Sequence, residues 1–94
     1  EDFSEALRLD PHLATAALHR GMLHGDAHHF EQAAADFQRA LDHGAERAAV
    51  YYQWALLHLE RKDRTSAKAS LRKALEHSPA DAEALELLQK LETP

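Results

Sequence analysis

Ala33-Ala-Ala-Asp-Phe-Gln-Arg-Ala-Leu41 and Ala67-Lys-Ala-Ser-Leu-Arg-Lys-Ala-Leu75 follow one pattern, 34 residues apart. At that offset Ala33 meets Ala67, Phe37 meets Leu71, Ala40 meets Ala74 and Leu41 meets Leu75. The register extends outward in both directions without a gap. Phe3, Ala6 and Leu7 fall in line upstream, Ala14, Ala48 and Ala82 align, and His24 meets His58 as His43 meets His77. A fixed period of this length marks a stacked repeat, in which each unit buries its apolar face on its neighbours.

Within one period the apolar residues recur at helical spacing and split into two stripes. Ala14, Ala17, Leu18 and Met22 form the first, and Phe30, Ala33, Ala34, Phe37, Ala40 and Leu41 the second. Tyr51, Trp54, Ala55 and His58, then Ala67, Leu71, Ala74 and Leu75, repeat the pair. Turns are expected at Gly25–His29 and Arg61–Arg64. Asp10-Pro11, His43-Gly44 and Ser78-Pro79 should separate one helix from the next, since glycine accepts a left-handed helix end and proline cannot extend the ladder. The spacing predicts helices at about 2–9, 13–25, 30–42, 47–60, 64–77 and 81–92.

Composition agrees with an all-α chain. Of 94 residues, 19 are alanine and 15 leucine, while valine, isoleucine and threonine together number four. Alanine and leucine lose little side-chain freedom in a helix, and β-branched residues favour strands. Hydrophobic residues at 45% and charged residues at 29% give the balance of a globular chain, not a disordered one. No apolar run approaches the roughly 18 residues of a membrane span, so membrane insertion is not expected. A net charge of −5 and a pI near 5.9 offer no basic footprint for nucleic acid. The absence of cysteine removes disulfides, thiol nucleophiles and cysteine-ligated metals together.

The quoted residues carry a family resemblance. Ala17-x2-Arg20-Gly21-x2-His24 with Ala33-x3-Phe37, Ala40 and Ala45, and Tyr51-x2-Trp54-Ala55-x2-His58 with Ala67-x3-Leu71, Ala74 and Pro79, resemble the tetratricopeptide repeat. In place of the family's leucine and tyrosine stand Arg20, His24 and His58. The resemblance implies an α-α superhelix, a right-handed solenoid of helix-turn-helix repeats forming a single domain over 1–94. Its parts would be the end of a preceding repeat at 1–13, repeats at 14–47 and 48–81, and a C-terminal capping helix at 82–94. Gly21 and Ala55 should sit where the two helices of a repeat approach closely, because a larger side chain would force them apart.

The resemblance also implies a protein-protein interaction module that binds a partner peptide or helix in a concave groove lined by the first helices. The expected groove residues are Leu18, His19 and Met22 in the first repeat and Tyr52, Gln53, Leu56, Leu59 and Glu60 in the second. The Lys, Asn and Arg set with which some members clamp a C-terminal carboxylate is missing from these positions. An alternative reading is an auxiliary repeat segment of a multidomain enzyme or secretion component.

Catalysis has little to stand on. The chain has no phosphate-cradling glycine loop, G-x-S-x-G elbow or H-E-x-x-H helix, so no enzyme, cofactor or metal is expected. Eight histidines invite a metal reading, but Gly25-Asp26 should end a helix between His24 and His28 and keep them off one face. His24 and His58 are expected as half-buried, hydrogen-bonded residues. Protonating all eight would move the formal charge from −5 to +3, so stability or self-association should change between about pH 7 and 5.5. The opening segment, with Phe3, Ala6 and Leu7 on one face, lacks a partner helix and is expected to support homo-oligomer formation. No targeting segment is visible, and a cytoplasmic location is the default expectation.

Overall fold

The computed structural model describes residues 10–93, and among these there are helices and turns but no strand. The helices are α1 (Pro11–Asp26), α2 (Phe30–Asp42), α3 (Arg47–Glu60), α4 (Arg64–His77) and α5 (Ala82–Glu92). They fall into two compact units, one ending at Glu46 and the other beginning at Arg47. The expected helix at 2–9, and with it the oligomerisation surface at Phe3, Ala6 and Leu7, lies outside the described residues.

Aspartate caps three of the five helices. Asp10 accepts from the backbone N–H groups of His12 and Leu13 at 3.0 and 3.3 Å, Asp63 from that of Ser66 at 3.1 Å, and Asp81 from those of Glu83 and Ala84 at 3.1 and 3.3 Å. Each satisfies donors that the first helical turn leaves without a partner. Asp10-Pro11 therefore opens α1 instead of merely closing what precedes it, and α1 starts two residues before the expected position. Proline suits the first helical position because its missing N–H is not needed there.

The helix ends share another device. His29 N–H donates to the His24 carbonyl at 2.7 Å and His28 N–H to that of Gly25 at 3.0 Å. The same pair of bonds recurs at Asp63 to His58 and Lys62 to Leu59, both 2.9 Å, and at Ala45 to Ala40 and Gly44 to Leu41, 2.9 and 3.0 Å. This is the Schellman closure, which needs one residue in the left-handed region. Gly44 supplies it at φ 94°, but His28 at 64° and Lys62 at 63° supply it in the intra-repeat turns. Gly25 stays inside α1 as a buried helical residue.

In the first unit, α1 meets α2 at Gly21. A Cβ built on Gly21 would lie 2.6 and 2.7 Å from two ring carbons of Phe37 and 3.2 Å from the Ala33 carbonyl oxygen. Phe37 is 1% exposed, and Ala33 and Ala40 are fully buried beside it in sequence register on α2. The close approach expected at Gly21 is present, and the ring that occupies it comes from α2.

In the second unit, Ala55, Ala67, Leu71, Ala74, Ala84 and Leu91 form one buried cluster. Tyr51, Tyr52, Leu59, Leu75, Leu87 and Leu88 pack partly buried against it. Ala55 and Leu71 stand where Gly21 and Phe37 stand one period earlier. Helix α5 packs on α4, and its last turn is pinned there. Arg64 donates to the Leu91 carbonyl at 2.7 Å, and Arg72 pairs with Glu92 at 2.9 Å. A cation at a helix C-terminus satisfies orphan carbonyls and opposes the helix dipole.

Candidate functional site

The eight expected groove residues lie on the first helices of the two units. On α1, Leu18 is half-buried while His19 and Met22 are exposed. On α3, Tyr52, Gln53, Leu56 and Leu59 are half-buried and Glu60 is exposed. Tyr52 and Leu59 pack against the core cluster of the second unit, so each divides its surface between core and outside. Burial raises the Tyr52 hydroxyl above its ordinary range, and the charges of Glu83, Asp81 and Glu86 raise it further. The surface beside Tyr52 is therefore acidic.

One multiply bonded polar group of the first unit was not legible as a site. Asp36 on α2 is buried. Arg20 on α1 grips its carboxylate with two bonds of 2.9 Å, Nε to Oδ2 and Nη2 to Oδ1. Arg39 adds Nη1 to Oδ1 at 2.9 Å, and His24 Nε2 lies 3.7 Å from Oδ2. The Arg20 hydrogen bond is the main reason the Asp36 carboxyl lies below its ordinary range, and burial works against it. Two signals pointed here: an acid at helical spacing on the stripe of Ala33, Phe37 and Ala40, and an arginine in the place of a leucine.

One period later the same positions hold Trp54 for Arg20, His58 for His24, Ser70 for Asp36 and Lys73 for Arg39. No ion pair forms among them. A cleft of about 190 Å³ between α3 and α4 is lined by Tyr51, Trp54, His58, Ala69, Ser70 and Lys73. The Tyr51 ring lies near-parallel to Trp54 with centroids 6.2 Å apart and to His77 at 6.0 Å, and the Lys73 ammonium lies 5.7 Å from its centroid.

His58 departs from its expected hydrogen-bonded state. Its Nδ1 is buried without a partner. Burial lowers the His58 imidazole below its usual range, Asp63 raises it and Arg61 lowers it. The sign follows from linkage. The folded state disfavours the charged ring, so the His58 contribution is complete above about pH 6.5 and is lost as pH falls through the lowered value. Between pH 7 and pH 5 the melting temperature should fall less in His58→Phe than in the parent chain. Parallel profiles would show that another group governs the response.

Among the described residues no three His, Asp or Glu side chains gather closely enough to hold a metal ion. No helix among them is long and apolar enough to cross a membrane.

Two-helix units of equal period, closed by matching turns, define a helical-repeat protein. Residues 48–81 match the family model of the tetratricopeptide repeat, which supports assigning this repeat to that family. No curated protein and no solved structure matches the chain. Repeats of this family generally mediate protein-protein contacts and are as a rule non-catalytic.

Proposed function

We propose that the chain is a non-catalytic interaction module whose partner segment docks along the first helices of its repeats. The observation that carries this reading is the mixed surface of α3. Leu56 lies half-buried outside the core cluster, and Tyr52 and Leu59 border it. Gln53 and Glu60 supply polar edges, and Asp81, Glu83 and Glu86 act on the Tyr52 hydroxyl. Such a surface suits an apolar residue flanked by Lys or Arg, since apolar anchors bind and complementary rim charge orients. Leu18, His19 and Met22 give α1 a surface of the same kind. Methionine adapts to varied apolar partners.

Selection of displayed peptides on the immobilised chain tests this reading. Bound peptides should be rich in basic and apolar residues, and Leu56→Asp should weaken them at least tenfold, about 1.4 kcal/mol. Helical content and melting temperature show whether that variant is folded. Peptides indifferent to both Leu56→Asp and Met22→Asp would overturn the proposal.

A further inference from the structure

The two units treat one place in the repeat in opposite ways. In the first, the space between the paired helices is filled from within by the Asp36 carboxylate, which Arg20 and Arg39 bind and His24 approaches. In the second, Ser70 withdraws the carboxylate but the cation remains. Lys73 stands in the position of Arg39, and among the described residues no carboxylate lies within ion-pairing distance of it. Its ammonium lies over the Tyr51 ring. The cleft of about 190 Å³ reaches this place, with the Tyr51 and Trp54 rings as walls and His58, Ser70 and Lys73 as its polar edge. The first unit's cleft of about 180 Å³, beside Arg20 and Arg39, is not lined by Asp36 or His24.

From this contrast we propose that the cleft between α3 and α4 is a second binding site, taking the carboxylate of an acidic side chain that a protein partner presents beside an apolar one. The carboxylate would stand where Asp36 stands in the other unit and pair with Lys73 in a charge-assisted hydrogen bond. The adjoining apolar side chain would lie against the parts of the Tyr51 and Trp54 rings that line the cleft. The cleft volume fits a single ring or branched aliphatic group together with a carboxylate, not an extended segment. The site is distinct from the strip at Leu56 and asks for the opposite charge.

Trp54 is the one tryptophan of the chain and lines the cleft, so its fluorescence reports occupancy directly. The probe is a doubly capped phenylalanyl-aspartyl dipeptide, with its asparaginyl counterpart as the neutral control. The aspartyl dipeptide should produce a saturable change in Trp54 emission, and the control should bind at least tenfold more weakly. Lys73→Gln should lose at least tenfold in affinity. Ser70→Asp should lose as much by restoring an internal acid three residues before Lys73, as Asp36 precedes Arg39. Both positions are at the surface or half-buried, and circular dichroism verifies their folding. Equal affinity for the two dipeptides, unchanged binding by Ser70→Asp, or no saturable change up to the solubility of the probe would each overturn the proposal.

Discussion

Gly21→Ala should destabilise the first unit by up to about 2 kcal/mol, although it places a better helix former in the middle of a helix. Alanine gains roughly 1 kcal/mol in helix propensity over glycine. Against this stands the ring of Phe37, 2.6 Å from the new Cβ and 1% exposed, with the Ala33 carbonyl at 3.2 Å on the other side. A buried ring cannot swing aside without displacing its own neighbours, and overpacking of this kind costs about 1–3 kcal/mol. The melting temperature of a domain this size should fall by roughly 4–8 °C for each kcal/mol.

The second unit shows how the strain is relieved. There the alanine is already present as Ala55, and the residue facing it in the repeat register is Leu71. Phe37→Leu alone should cost about 1 kcal/mol by leaving space beside Gly21. The double variant Gly21→Ala with Phe37→Leu should be more stable than the sum of its parts by about 1–2 kcal/mol. Urea unfolding of the four proteins measures the coupling directly. An additive cycle would show that Gly21 is small for a reason other than Phe37.

The second large effect concerns Asp36→Asn. The substitution keeps shape but removes the charge that draws Arg20 and Arg39 together, and hydrogen bonds to charged groups are worth about 1.5–3 kcal/mol. Both arginines are more than half exposed and can return to water, so the expected loss at pH 7 is about 2 kcal/mol, not the larger cost of stranding a buried charge. Because the folded state lowers the Asp36 carboxyl, its stabilisation is present above about pH 4 and is lost as pH falls through the lowered value. The gap between parent and Asp36→Asn should therefore narrow when denaturant unfolding is repeated near pH 2. A gap of equal size at both pH values would mean that the carboxylate charge contributes nothing.

The helices were readable because two signals coincided, the 34-residue offset and helical spacing within it. Gly21 was readable for the same reason, as a small residue at a predicted crossing. The turn residues His28 and Lys62 were not, since nothing in either side chain marks a left-handed backbone. Their conformation is imposed by the pair of bonds that closes each helix, and only Gly44 announces itself. Asp36 escaped because the arginine that grips it with two bonds is 16 residues away on another helix, and spacing rules that reach three or four along one helix offer only the Arg39 pair. The expected groove residues were read from family register, which does not say how much of each position the core uses. Tyr52 and Leu59 show this, for both are shared with the cluster around Leu71.

The paired substitutions between the units have a consequence for how such a chain can be rearranged genetically. Gly21 goes with Phe37 and Arg20 with Asp36; Ala55 goes with Leu71 and Trp54 with Ser70. A crossover between repeats that fell in an intra-repeat turn would join α1 to α4 or α3 to α2. The first chimera would set glycine against leucine and strand an arginine opposite serine; the second would drive an alanine into phenylalanine and bury an aspartate opposite tryptophan. A crossover in the inter-repeat turns, near Gly44 or Ser78, breaks neither match. The hairpin, not the helix, is thus the smallest piece this sequence can lend or borrow intact.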